Sequence, residues 1–110
     1  MHSITRQGAR LTALVRGRLN REEADTLVRD VENILKEPGA SGRKLIVDMS
    51  HVEYLSSSGI GALVRMFRAA TEVKMEMIVC CGRAEIRSLI EIAGLDKLIK
   101  LVDAPDSKQS

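Results

Sequence analysis

Aromatic side chains are nearly missing from this 110-residue chain: Tyr54 and Phe67 are the whole complement, and there is no tryptophan. Proteins that hold single-stranded nucleic acid stack bases on such rings, so that class loses its main device. Charge does not replace it. Lys and Arg number 17 against 15 Asp and Glu, a formal net charge of only +2 despite a sequence pI near 8.7, and the cations are scattered rather than gathered into a patch. Direct nucleic-acid binding is not expected.

Long apolar runs are missing too. No stretch approaches the roughly 20 apolar residues needed to cross a bilayer, and Met1 to Arg10 contain no apolar signal-peptide core. The expectation is a cytoplasmic protein with no membrane insertion. Cysteine is confined to Cys80 and Cys81, adjacent in an apolar stretch and unsuited to a disulfide between distant segments, so buried, reduced thiols are expected. Histidine is confined to His2 and His51. With no zinc-like ligand spacing, no G-x-S-x-G elbow and no C-x-x-C pair, the sequence offers neither a nucleophile with its base nor a metal centre. No enzyme activity, cofactor or metal is expected, and His51 reads as solvated.

What remains is an ordinary globular composition, 45% hydrophobic and 29% charged, at a length that buries one core and is too short for two. Residues 1–103 read as one domain, and the apolar-poor stretch 104–110, APDSKQS, as a mobile tail. Residues 9–16 alternate loosely up to Gly17 and predict a strand, paired in a hairpin with Ser3–Arg6 across Gln7-Gly8. Asn20 followed by Glu22 and Glu23 predicts a capped helix start. Ala24, Leu27, Val28, Val31, Ile34 and Leu35 form its inner face, and Pro38-Gly39 its stop.

Lys44–Val47 reads as a short buried strand ending at Asp48, and the serine-glycine stretch after it as a loop. The loop feeds a helix with Ile60, Leu63, Val64 and Phe67 inward and Ala62, Arg65, Met66 and Ala69 outward. Met75–Cys81 predicts another strand. Gly82 turns into a third helix striped by Ile86, Leu89, Ile90 and Ala93 and closed at Gly94, and Leu98–Val102 predicts a last strand. The alternation gives an α/β domain, with a mixed, mostly parallel sheet of about four to five strands and helices packed on it.

The chemistry concentrates at Ser56, Ser57 and Ser58, three consecutive serines where a loop meets a helix N-terminus. Unpaired backbone N–H groups and the positive end of the helix dipole favour a negative group there. Gly59 and Gly61, lacking side chains, would let another protein's backbone come close. A single serine suffices as a cap, so capping alone explains the run as well as a phosphoacceptor does. A nucleotide loop fits poorly: the dinucleotide fingerprint would want a third glycine where Val64 stands, and no GK[ST] follows.

The stretch IVDMS followed by VEYLSSSGIGALVRMFRAA closely resembles the signature of STAS-domain anti-sigma-factor antagonists, in which a strand and an Asp-hydrophobic-Ser turn precede a D/S-S-S/T/A-G-hydrophobic-G loop and helix. GRLN at Gly17–Asn20 resembles the family's G-x-L-D/N approach to the first helix. IVCCGRAEIRSLIEIAGLDKLIKL is similar to its closing strand, helix and strand. The resemblance covers nearly the whole chain.

It implies a STAS fold and a phosphorylation switch. Ser57 matches the phosphorylated position, with Ser56 and Ser58 the less favoured acceptors. The partner is an anti-sigma factor that is also a serine kinase, contacted through Asn20, Ser56, Ser58, Gly59, Gly61, Ala62, Arg65 and Met66; a phosphatase acting on phosphoserine resets the switch. Asn20 and Ser56 stand where many members carry Asp, which bears on kinase recognition. The chain also ends without the terminal helix many members carry, which bears on the partner surface. Met66 reads equally as a contact or as a core filler, and Asp48 either as ordering the loop by accepting backbone hydrogen bonds or as simply ending its strand. The rival role within the family is a STAS subunit of a lipid-transport ABC complex, or a stress-signalling scaffold component.

Overall fold

A computed structural model describes residues 1–37 and 43–103. The predicted Pro38-Gly39 stop and the 104–110 tail lie outside the described residues. Five strands, β1 (His2–Gln7), β2 (Arg10–Leu19), β3 (Lys44–Leu55), β4 (Glu76–Cys80) and β5 (Lys100–Val102), form one sheet in sequential order. The hairpin β1–β2 is antiparallel and every other pairing is parallel. Three helices connect the parallel strands: α1 (Arg21–Leu35), α2 (Ser57–Glu72) and α3 (Ala84–Ile92). Right-handed crossovers between sequential neighbours put all of them on one face of the sheet. That face carries Leu11, Ala13 and Val15 from β2, Leu45, Val47 and Met49 from β3, and Met77 and Val79 from β4, all in the buried core.

Two strands run further than their apolar patterns suggest. β2 continues through Gly17 to Leu19, with register shifts either side of Gly17, whose φ is 72°. A left-handed residue bulges the strand without ending it, and only glycine takes that conformation cheaply. β3 does not stop at Asp48. Its pairing with β4 ends there, at Asp48↔Cys80, but its pairing with β2 runs on to Leu19↔Leu55. The predicted loop is therefore strand, because half its backbone still has a partner. Ser50 fits where β3 leaves β4 because Gly82 has no side chain: a Cβ there would lie 2.5 Å from the Ser50 Cα.

The inner face of α2 is not the predicted one. Gly59, Ala62, Leu63, Met66 and Ala70 are buried, while Ile60, Val64 and Phe67 are half-buried at its side. Apolar residues run most of the way round this helix, so periodicity supports two faces. Gly59, Ala62 and Ala70 let α2 approach β3 and α1 closely, and Leu63 and Met66 fill the core between them. In α3 the stripe narrows to Ile86 and Ile90, leaving Leu89 and Ala93 exposed. Leu95–Lys97 forms a 3-10 turn, entered from Gly94 at φ 81°, and Leu98 is exposed ahead of a last strand that starts only at Lys100.

Candidate functional site

The carboxyl ends of β2 and β3 are paired, so the helices that follow begin side by side. Asn20 caps α1 as expected, its Oδ1 accepting from the Glu23 amide at 3.1 Å. Ser56, in extended conformation, caps α2, its Oγ accepting from the Gly59 amide at 3.1 Å. The same hydroxyl donates to the Leu19 carbonyl at 2.8 Å, and the Ser56 amide donates to it at 3.3 Å. One residue thus caps a helix and ties two strand ends together.

Ser57 is the first residue of α2 and is exposed. Its hydroxyl makes no hydrogen bond among the described residues, and no acidic residue lies in the first turn of α2. A phosphate added here would meet free amides at the positive end of a 16-residue helix. Ser58 is half-buried. The three serines, equivalent in the sequence, thus differ in the fold: one structural, one free, one partly shielded.

The remaining candidates divide. Asn20 and Arg65 are exposed, and Arg65 pairs with Asp25 of α1 at 3.2 Å across the helix–helix seam. Gly61 has open space where a Cβ would stand, as close approach requires. Ala62 and Met66 correct the outward assignment: at 1% and 0% exposure they belong to the core and present nothing to a partner. Gly59 is also turned inward. A Cβ there would lie 2.5 Å from Leu55 Cδ1 and 3.0 Å from the Leu19 carbonyl oxygen, so this glycine serves the close fit of α2 on the strand ends rather than a visiting backbone.

Asp48 orders its segment, accepting from the Ser50 amide at 3.0 Å and the Ser50 hydroxyl at 2.6 Å. His51, exposed, lies 3.2 Å from the same hydroxyl through Nδ1. Burial, reinforced by Asp48 and Cys81, pushes the Cys80 thiol up to about 11. Burial likewise raises Cys81. Both are free cysteines held protonated at neutral pH, hence poor nucleophiles. No group of three or more metal-ligating side chains occurs among the described residues, nor does any helix long and apolar enough to cross a membrane.

One feature beside the site escapes a reading of motifs. The Arg18 guanidinium stacks 4.4 Å from the centroid of the Tyr54 ring, and Tyr54 is 45% exposed. The two are brought opposite by the β2–β3 register beyond Gly17, which spacing alone does not give. An exposed sole tyrosine two residues ahead of the serine run was the available signal.

Residues 4–107 match the STAS domain family. The chain belongs to that family. A curated relative from Bordetella bronchiseptica (strain ATCC BAA-588 / NCTC 13252 / RB50), bearing the name of an anti-sigma factor antagonist, BtrV, is 20% identical over 97 residues, covering 88% of this chain and 81% of its own. Among solved structures, one bearing the same description from Thermotoga maritima aligns with a TM-score of 0.84 at 16% identity, covering 98% of this chain and 91% of its own. The antagonist SpoIIAA in its unphosphorylated form aligns with a TM-score of 0.77 at 12% identity, covering 99% and 94%. The five-stranded mixed sheet and three helices of this STAS domain are therefore the fold those antagonists share.

Proposed function

We propose that this STAS domain is a cytoplasmic anti-sigma-factor antagonist whose unphosphorylated form binds an anti-sigma factor with serine kinase activity, and that phosphorylation of Ser57 switches the binding off. The observation that carries the reading is the division of labour among the serines. Ser56 is committed to Gly59 and Leu19, whereas Ser57 stands exposed with an unengaged hydroxyl at the head of α2. The relative named as an antagonist and the solved antagonist described as unphosphorylated support the same reading.

The docking end comprises Ser57 with Asn20, Gly61 and Arg65 around it. A phosphate brings about −1.5 to −2 charges near pH 7 into that contact. A hundredfold loss of affinity corresponds to about 2.8 kcal/mol, which repulsion and the cost of burying a dianion supply without refolding. The N-terminus of α2 stabilises the phosphorylated form from within by roughly 0.3–1 kcal/mol. A phosphatase returns the protein to the binding state.

The test is intact mass after incubation with candidate kinases and ATP, on wild type, Ser57→Ala and Ser58→Ala. One phosphate lost only in Ser57→Ala supports the reading. A phosphate retained in Ser57→Ala moves the acceptor elsewhere, and no phosphate together with tight binding to an ABC ATPase subunit replaces the switch with the transporter role.

A further inference from the structure

Strand β1 lies at the edge of the sheet, with β2 on one side and no strand among the described residues on the other. The phase of its hydrogen bonding is set at Met1. The Met1 amino group donates to the Arg16 carbonyl at 3.3 Å, and the Met1 carbonyl accepts from the Arg16 amide at 2.8 Å. Along an antiparallel strand the backbone groups point alternately toward and away from the neighbour. Ser3, Thr5 and Gln7 therefore direct theirs at Leu14, Thr12 and Arg10 of β2. His2, Ile4 and Arg6 direct their amides and carbonyls off the sheet.

Open edges invite further pairing, and proteins blunt them with short strands, lysine, proline or bulges. The opposite edge is blunted in this way: β5 has three residues, led by Lys100. β1 has six residues in unbroken register, with neither lysine nor proline. The side chains of its outward-bonding residues turn toward α1. His2 meets Glu23 and Asp30 at 2.6 and 2.7 Å, Ile4 packs on the core, and Arg6 pairs with Glu37. Between α1 and this edge lies a cavity of about 330 Å³ lined by His2, Ser3, Ile4, Asp30, Asn33 and Ile34. β2 contributes nothing to its walls, so the cavity opens past the free edge.

We propose that β1 is a dimerisation edge, to which a second copy of the chain adds its own β1 antiparallel about a two-fold axis at Ile4. The register follows from the outward groups. Residues opposed across an antiparallel pair share a face, so His2 must meet His2, Ile4 or Arg6 of the second copy. Only the pairing of Ile4 with Ile4 and His2 with Arg6 leaves no outward amide or carbonyl of these residues unpaired. It also keeps the two Arg6 side chains apart and sets an isoleucine against an isoleucine at the axis. Charge fits as well: Arg6 of the second copy arrives on the cavity side opposite His2, where Asp30 stands. The Arg6–Glu37 pair is half exposed on both sides, so this arginine is free to turn to Asp30. An isologous contact of this kind closes at two copies. The axis is perpendicular to the sheet, so the two Ser57 sites point to opposite ends and neither is covered.

The experiment is analytical ultracentrifugation of the 110-residue chain from about 1 μM to about 1 mM. A six-residue edge is a small interface, so the expected dimer forms in the upper part of that range. Cysteine cross-linking under mild oxidation reads the register, with Cys80 and Cys81 buried and wild type as the control. Ile4→Cys should cross-link, because the two Cα atoms stand about 5.5 Å apart across a hydrogen-bonded pair. Thr5→Cys should not, because Thr5 opposes Ser3 and the two Thr5 positions are diagonal, about 7–8 Å apart. Arg6→Pro removes an amide that the β1–β2 hairpin does not use, and proline is tolerated at such an edge position. It should weaken the dimer about tenfold or more, and Arg6→Ala, which keeps the amide, less. A chain that stays monomeric throughout the range overturns the proposal. So does a dimer that cross-links Thr5→Cys as fast as Ile4→Cys, or one that Arg6→Pro leaves as tight as wild type.

Discussion

The Ser56 hydroxyl donates to the Leu19 carbonyl at 2.8 Å while accepting from the Gly59 amide at 3.1 Å. It is at once an N-cap and a link between two strand ends. Replacing it with alanine frees the Gly59 amide and leaves Leu19 only the longer bond from the Ser56 amide, at 3.3 Å. Ser56→Ala should cost about 1–2 kcal/mol, read as a lower urea midpoint at unchanged slope. Ser57→Ala should stay within about 0.5 kcal/mol of wild type. The reverse order of stabilities would mean that Ser57 is the structural serine and would remove the basis for assigning it the phosphate.

Gly59 and Gly61 look alike in the sequence and should behave oppositely. Alanine is favoured over glycine in a helix by about 1 kcal/mol. At Gly61 nothing lies within 4 Å of the added carbon, so Gly61→Ala should stabilise by about 0.4–1 kcal/mol. At Gly59 the carbon meets Leu55 Cδ1 at 2.5 Å, and behind it the Leu19 carbonyl, which cannot move aside, at 3.0 Å. Overpacking of that kind costs about 1–3 kcal/mol and outweighs the propensity gain. Thermal midpoints of the two variants check this; a rise for both would show that α2 can slide on the strand ends.

These glycines also show how far the sequence could be read. The order of strands and helices, the Asn20 cap and the place of the serine run follow from local chemistry, each set by residues within a few positions of one another. Which way α2 rolls is not local. It depends on the depth of contact with Leu19, Leu55 and α1, and a stripe of Ile60, Val64 and Phe67 is as apolar as the buried face, where Gly59, Ala62 and Ala70 stand beside Leu63 and Met66. The continuation of β3 past Asp48 was hidden likewise, because β2 stays beside it through a register shift at Gly17. Ser56 could be read as a cap, but its second bond, to Leu19, spans 37 residues.

The rolled position of α2 separates two neighbouring residues. Met66 is fully buried, whereas Arg65 is exposed and holds Asp25 at 3.2 Å. Met66→Ala should cost about 2–5 kcal/mol as a core truncation. Arg65→Ala removes an exposed ion pair and should cost no more than about 1 kcal/mol. In binding to an anti-sigma factor the ranking should invert: Arg65→Ala weakens affinity, and any Met66 effect tracks the folded fraction. Equal stability losses, measured by urea denaturation, would place Met66 back on the surface.

Cys80 offers a prediction in pH. Its thiol rises from the ordinary 9.0 to about 11 in the folded protein, first through burial and then through Asp48 and Cys81. The folded state therefore holds the proton more tightly than the unfolded chain does. Below about 9 both states carry it, so this thiol gives stability no slope with pH there. From about 9 to 11 the unfolded chain releases the proton first, and stability falls as pH rises across that window. A Cys80→Ala variant should show a shallower fall over the same range. At pH 8 the native thiol should react with a disulfide reagent far more slowly than the same thiol in urea. Reaction at the unfolded rate under native conditions would mean that β4 opens freely, in conflict with a strand paired on both sides.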